Sequence, residues 1–362
     1  MPAWPRVVPL VDALVFQRNS CADLGSDVYA EVLDAVIADV GADGPCAAVL
    51  RPHEREPFGS ALPLRFLGSI HRLVLEGRAP RLAAHYPSAG GTPGPSLADD
   101  LVATVAELRP EIEARVNDGV QTNEVGRSAA LVGGFVDVAR RSGLPLRLLE
   151  LGASAGLNLR WDRFWYDTGA STLGDPTSAV RFVGVWDEPP PVLDDVSVTV
   201  TERTGCDRSP IDPTSEQGRL TLRAYLWPDM VDRRARLDAA LEIAARMPVT
   251  VDTADLGDWL ARRLAEPAPG RATVVYHSIV WQYVDDRSRD RMREALRRAG
   301  RAASDDAPLA WLRLEPAGPV ADLRLTWWPG GGDGGTEEVL ATSGFHGVPV
   351  HWGRRPQAAG AR

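Results

Sequence analysis

The stretch Leu148-Leu149-Glu150-Leu151-Gly152-Ala153-Ser154-Ala155-Gly156-Leu157-Asn158 decides how the chain reads. An apolar run of strand type ends in an acid, passes through small residues and enters a helix start. Gly and Ala let a backbone approach another group closely, a helix N-terminus presents N–H groups, and a carboxylate at a strand end can bind an ammonium or a hydroxyl. In an open parallel sheet such a strand end faces the ligand crevice. Glu150, Gly152, Ala153, Ser154, Gly156 and Asn158 are therefore the first candidate binding residues.

Working outward, a helical pattern from Glu124 to about Arg141 stops at Gly143 and Pro145, and the strand follows at once. Further strands read near 196–201, 249–253, 273–280, 308–314, 322–328 and 348–352, with helical patterns at 219–246, 256–265 and 287–299 between them. This alternation predicts an α/β fold, a Rossmann-like doubly wound and mostly parallel sheet. Residues 1–118 read as helical: Tyr29, Val32, Leu33, Val36, Ile37 and Val40 repeat at helical spacing after a cap at Ser26. A second helix covers about 62–76. The run 87–95 is loop, and Ser96 with Asp99 forms a capping box for a helix that Pro110 splits or kinks. The expected organisation is a helical N-terminal cap or lid over 1–118, an α/β domain over 119–355 and a flexible tail over 356–362. The Pro-rich 187–191 and the Gly-rich 328–335 read as surface loops.

Composition narrows the chemistry. The 362 residues suffice for about two domains, and the net charge of −9 removes the broad positive field that nucleic acid or an anionic membrane would call for. All 40 bases are Arg, so a Lys Schiff base and the Lys of a phosphate-binding Walker loop are both excluded. Cys21, Cys46 and Cys206 are odd in number and far apart, which gives neither a disulfide framework nor a zinc pair. The run from Val7 to Phe16 is interrupted by Pro9 and Asp12 and reads neither as a signal peptide nor as a span. A cytoplasmic protein with a small-molecule substrate, no nucleic acid, no membrane and no metal is expected.

Three chemistries compete for the Gly-rich turn. A nicotinamide or flavin site fails, because Ser154 stands where the second glycine of G-x-G-x-x-G must admit a pyrophosphate. Gly152-x-Ser154-x-Gly156 does match the strand–turn–helix elbow of serine hydrolases, with a later acid such as Asp285 or Asp305 and a later His such as His346. Against it, most of a hydrolase sheet precedes its nucleophile, whereas the preceding half here is helical.

The third reading is S-adenosylmethionine binding. Residues 150–158 resemble the first motif of class I methyltransferases, with Ser154 in place of one glycine. Residues 249–260 resemble that family's third strand, which implies Asp255 and Leu256 as the adenine contacts, and 273–284 resemble its fourth. Glu150 and the turn would hold the methionyl part. The ribose acid would be Glu202 or Asp207; either 161–195 is an insertion or the second strand lies elsewhere than 196–201, with Asp187 as the fallback. Longer stretches, 122–131, 148–166, 202–213, 225–229 and 277–283, resemble a bacterial family, widespread in actinobacteria, known as a domain of unknown function. That resemblance implies a methyltransferase-like fold without fixing a substrate. A binding or regulatory protein that keeps the fold and no transfer chemistry is the alternative.

The remaining candidates lie around the same crevice. His277 falls at the C-terminal end of the fourth strand and could deprotonate a substrate, or else serve only as a backbone-bonded histidine. Trp281 and Tyr283 follow it. Asn123, Glu124 and Arg127 open the helix before the first strand: Asn123 suits a cap, and Arg127 could grip a carboxylate. Asp162, with Trp161, Phe164, Trp165 and Tyr166, could meet adenine or a sulfonium, although such a stripe more often packs a core.

Overall fold

Runs of six to eight apolar-rich residues between turn formers build the sheet of this protein, and the computed structural model describes residues 7–190, 193, 196–330 and 334–353. The strands are β1 (Leu146–Leu151), β2 (Trp165–Asp167), β3 (Thr172–Gly174), β4 (Arg181–Val183), β5 (Trp186–Glu188), β6 (Val200–Asp207), β7 (Thr250–Thr253), β8 (Ala272–Ser278), β9 (Leu309–Pro316), β10 (Ala321–Trp328), β11 (Thr336–Ser343) and β12 (Val350–Trp352). Nine of them form one sheet in the order β5-β12-β11-β10-β9-β8-β1-β6-β7, and β3-β2-β4 form a small second sheet. From β7 through β9 every pairing is parallel, while β9 to β12 run antiparallel. The protein is thus mixed α/β with a large, mostly parallel central sheet and many helices.

The chain divides into two compact units. One comprises the described part of Met1–Thr122 together with Ser215–Ala235, the other Asn123–Thr214 with the described part of Arg236–Arg362. Residues 215–235, read from sequence as part of the α/β domain, thus belong with the helices. Their attachment is polar as well as apolar. Arg72 donates to the Gln217 carbonyl at 3.1 Å and to Thr221 Oγ1 at 2.6 Å, and buried Trp227 joins the core of Leu14, Val32, Leu33, Phe66 and Ile70. The expected tail 356–362, residue 191 of the Pro-rich loop and residues 331–333 of the Gly-rich loop lie outside the described residues.

In the helical unit Ser26 caps the helix Asp27–Gly41 as expected, accepting from the Tyr29 N–H while donating to Asp229 Oδ1 at 2.6 Å. Pro110 does divide the later helix, into Leu97–Glu107 and Arg109–Arg115. The capping box at Ser96 does not form. Its hydroxyl lies 3.3 Å from His85 Nε2 instead, a longer-range partner that outcompetes the local bond.

In the α/β unit the helix Ser128–Ser142 ends at Gly143 as expected. It lies hard against the sheet: a Cβ on Gly133 would stand 2.3 Å from the Trp352 ring, and one on Gly134 2.6 Å from Leu312. Phe135 then stacks on Trp161 at 4.6 Å and meets Tyr276 edge-on at 5.0 Å. The other sheet face presents Leu149, Leu151, Val275 and Trp311 to Trp259, Leu260, Met292 and Leu296 of the helices Leu256–Arg263 and Asp286–Ala302. Burying each such side chain is worth about 1.5–3 kcal/mol.

Three sequence expectations change. The second strand of the large parallel half is not 196–201 but β6, so Glu202 lies near its start and Asp207 at its end. The helix expected over 219–246 is two, Glu216–Ala224 and Val231–Arg246, because Pro228 in the intervening segment has no N–H to give a helix. The strand β11 was not foreseen. No helix among the described residues is long and apolar enough to cross a membrane.

Candidate functional site

From β1 the chain moves outward to β6 and β7, then returns across β1 to build β8 and β9 on the other side. The change of direction opens a place outside the C-terminal ends of β1 and β8. Two non-glycine residues there hold a left-handed backbone, Ser154 at φ 51° and Ile279 at φ 53°. For a β-branched side chain this conformation is an outlier, worth about 1–3 kcal/mol of strain, and such strain clusters at functional sites.

Gly152 is required twice over. Its φ is 67°, and a Cβ on it would lie 2.7 Å from Val280 Cγ2, a side chain brought in by the loop after β8. Four N–H groups of the turn are engaged within the protein. Ala153 donates to the Cys206 carbonyl at 3.0 Å, Ser154 to Asp207 Oδ2 at 2.9 Å, Gly156 to the Ala153 carbonyl at 2.7 Å, and Leu157 to Asn123 Oδ1 at 3.0 Å. Asn123 therefore caps the segment after the turn rather than its own helix. Glu124 accepts from the Gly126 N–H at 2.9 Å. Asn158 joins these pieces, donating to the Glu124 carbonyl at 3.2 Å and accepting from Ser128 Oγ at 2.8 Å. Arg127 reaches the Ser278 carbonyl at 3.0 Å and the Phe345 carbonyl at 3.2 Å, binding backbone at the end of β8.

Glu150 is only 3% exposed and faces the helix Ser128–Ser142, beside Tyr276 in register on β8. Its Oε2, the Tyr276 hydroxyl and Trp161 Nε1 find no hydrogen-bond partner among the described residues. Burial pushes the Glu150 carboxyl up to about 8. Tyr276 and the Arg160 and Arg127 guanidinium groups pull it down in part, and Asp207 adds to the rise. The group therefore keeps its proton at neutral pH. Leaving a buried polar atom unpaired costs about 1–3 kcal/mol.

On the opposite face His277 is fully buried, with Nδ1 2.6 Å from Glu315 Oε1 on β9. The same oxygen accepts from the Val280 N–H at 3.0 Å and the Trp281 N–H at 3.3 Å. His277 Nε2 finds no partner among the described residues. Trp281 stacks on the imidazole at 5.5 Å, with Trp311 at 6.0 Å. Sequence reasoning named His277 and Trp281 and missed Glu315. The available signal was an acid closing the apolar run 308–314, the pattern that singled out Glu150.

The structure separates the other candidates. Asp207 comes to the turn, whereas Glu202 pairs with Arg147 at 3.2 Å and Arg271 at 2.8 Å near the opposite end of the sheet. Asp187 lies on β5 at the far sheet edge, 3.4 Å from His351. Asp255 caps the helix Leu256–Arg263, accepts from Ser288 Oγ at 2.6 Å and pairs with Arg291 at 3.1 Å. Leu256 packs in the core below it. Asp285, offered as a triad acid, caps the helix Asp286–Ala302 and pairs with Arg208 at 2.6 Å. Asp162 is held by Arg203 at 2.5 and 3.0 Å, and Trp161, Phe164 and Tyr166 are core residues, so the aromatic stripe packs this region. Tyr283 is exposed. The three cysteines are buried thiols, and among the described residues no group of three His, Cys, Asp or Glu could hold a metal ion.

The chain belongs to the family described as "Uncharacterized protein conserved in bacteria (DUF2332)", whose profile matches residues 11–352. No curated protein and no solved structure matches it.

Proposed function

We propose that this member of the bacterial family is an S-adenosylmethionine-dependent methyltransferase acting on a small molecule, with a Rossmann-like, class I methyltransferase-like α/β unit. The observation that carries the reading is the parallel half-sheet β7-β6-β1-β8-β9. Counted along the chain it runs 3-2-1-4-5, the order of doubly wound nucleotide-binding sheets, and the turn of Gly152 to Gly156 closes its central strand. The acid at the end of β6, Asp207, reaches that turn. This is the place where the resemblance to methyltransferases puts a ribose ligand.

The donor set fits such a cofactor at one orphaned atom. Glu150 Oε2 is buried beside the turn with no partner among the described residues, so an ammonium or hydroxyl donor would complete it. Glu150 and Asp207 are the residues that would hold the cofactor; Asp255, engaged by Ser288 and Arg291, and core Leu256 would at most border it after β7. Because the amides of Ala153, Ser154, Gly156 and Leu157 are engaged internally, recognition would rest mainly on the acidic side chains of Glu150 and Asp207. The cofactor supplies a methyl group on an already activated sulfonium, so the protein has mainly to align a nucleophile and keep water out. His277, buried at the neighbouring strand end with an unpartnered Nε2 among the described residues, would supply a base to a substrate admitted there.

Calorimetry with S-adenosylmethionine and with its demethylated product tests the reading. Binding of either in the micromolar range is expected, and no heat at millimolar concentration would remove it. Binding without turnover on any substrate would favour the regulatory alternative. One observation favours the hydrolase reading, the left-handed Ser154 at φ 51° between strand and helix, which is the backbone a nucleophile elbow needs. Covalent labelling of Ser154 by a fluorophosphonate would promote it.

A further inference from the structure

We propose that Glu315 is a positioning residue that keeps the proton of His277 on Nδ1 and leaves Nε2, inside a fully buried ring, as an acceptor unpartnered among the described residues. A substrate admitted to that nitrogen would be a nucleophile with a proton to lose, a hydroxyl or an amine rather than a carboxylate. The identity of the methyl donor rests on the reading above; the state of the imidazole rests on the geometry alone.

An oxygen that already accepts two backbone N–H groups is an acceptor, so the hydrogen on the 2.6 Å line from Glu315 Oε1 to Nδ1 belongs to the ring. In the neutral ring Nε2 is then the lone-pair nitrogen, and no group among the described residues takes it. The ring cannot turn easily, being stacked on Trp281 at an interplanar angle of 14° with Trp311 at 6.0 Å. The charged groups around it are cations held by other partners. Arg289 and Arg293, from the helix Asp286–Ala302, lie over the Trp281 ring at 5.6 and 5.1 Å, Arg313 of β9 lies 3.9 Å over Trp311, and Arg127 binds the Ser278 carbonyl. Glu315 is thus the group that sets the tautomer. It also holds the two N–H groups that follow the left-handed Ile279, and Val280 from this turn is the side chain wedged against Gly152. The dyad and the Gly-rich turn are therefore one construction.

In the step this implies, the substrate's oxygen or nitrogen gives an electron pair to the methyl carbon and its proton to His277 Nε2. The cofactor, if bound, would supply the methyl group and would retain the carbon–sulfur bonding pair on leaving as a neutral thioether.

The test is long-range proton–nitrogen NMR of the full chain without added ligand, at about pH 8, where imidazole tautomers are read directly. The chain has six histidines, and the His277 signals are assigned by their loss in His277→Gln or by contacts to the Trp281 ring. The expected result is a proton on Nδ1 and none on Nε2. Glu315→Leu should lose the Nδ1–H signal, and Glu315→Gln, whose amide oxygen can still accept, should retain it. A proton on Nε2 in the unaltered chain, or the same tautomer in a folded Glu315→Leu, overturns the proposal. Should Glu315→Leu fail to fold, the spectrum of the unaltered chain still decides. Because no cofactor is present, a failure here leaves the calorimetric result standing, and a calorimetric failure leaves this one.

Discussion

Ser154 donates its backbone N–H to Asp207 Oδ2 over 2.9 Å, while Asp207 Oδ1 takes the Ser209 N–H at the same distance. One carboxylate thus joins the turn after β1 to the loop after β6 and fixes the left-handed Ser154. Charge-assisted bonds of this kind are worth about 1.5–3 kcal/mol each. Asp207→Ala should lower the stability of the α/β unit by about 2–4 kcal/mol, read from the urea midpoint, and Asp207→Asn by less. Equal midpoints for all three chains would mean the bonds carry nothing. In calorimetry the same two variants should lose affinity for S-adenosylmethionine.

Glu150 predicts a pH dependence whose sign runs opposite to that of an ordinary carboxylate. Its pKa moves up from 4.5 to about 8 on folding, so between those values the folded chain binds the proton that the unfolded chain releases. Stability from this group is full below the unfolded value and is lost as pH rises toward about 8, at about 1 kcal/mol per pH unit. Unfolding in urea at about pH 6.5 and about pH 8 should therefore show the chain weaker at the higher pH by about 1–2 kcal/mol. Glu150→Gln, neutral throughout, should remove most of that difference. A cofactor ammonium that pairs with Glu150 would release the proton, so binding heat should vary with the ionisation enthalpy of the buffer.

What could be read in advance follows from how local each cause is. β1, the turn and Gly143 were legible because an apolar run, a string of small residues and a stop signal are all short-range. β6 was not. It lies one place from the sheet edge, and its early residues, including Glu202 and Arg203, are only partly buried, so no apolar alternation marks it and the more regular 196–201 drew the assignment. The segment 215–235 was misplaced because its loyalty rests on Arg72 and His71, residues more than a hundred positions away. In the site, Glu150 and His277 lie at strand ends and were found that way, whereas Asp207 was named only as an acid just beyond the expected strand 196–201. Glu315 meets His277 through strand pairing, 38 positions on in the chain, which no single-sequence spacing reports.

Gly152 and Val280 should behave as a coupled pair. Gly152→Ala meets two obstacles, a φ of 67° and a contact of 2.7 Å with Val280. The first costs about 1–2 kcal/mol for any L-residue and the second about 1–3 kcal/mol of overpacking. Val280→Ala alone should cost about 1 kcal/mol through lost burial. In the double variant the clash is relieved and the backbone strain remains. Its loss should be smaller than the sum of the two single losses by about 1 kcal/mol or more, and strict additivity would show that Val280 does not press on the turn.

His71 gives the helical unit an acid sensitivity of its own. The ring is buried, with Nδ1 3.1 Å from the Ala224 carbonyl and Nε2 2.7 Å from Ser88 Oγ. The carbonyl can only accept, so Nδ1 carries the proton and Nε2 accepts from the serine. Burial lowers the imidazole from 6.5 to about 4. The Ala224 carbonyl, which favours the charged ring, offsets this in part, and Arg234 adds to the lowering. A base whose constant falls on folding contributes its full stability above the unfolded value and loses it as pH drops toward the folded one. Lowering the pH from about 6.5 to about 4 should therefore cost the helical unit about 2–3 kcal/mol, visible as a falling thermal midpoint. Replacing His71 by Gln keeps a donor and an acceptor without a titrating ring, so His71→Gln should start less stable and flatten this part of the pH profile. A profile as steep as that of the unaltered chain would assign the acid sensitivity to other groups.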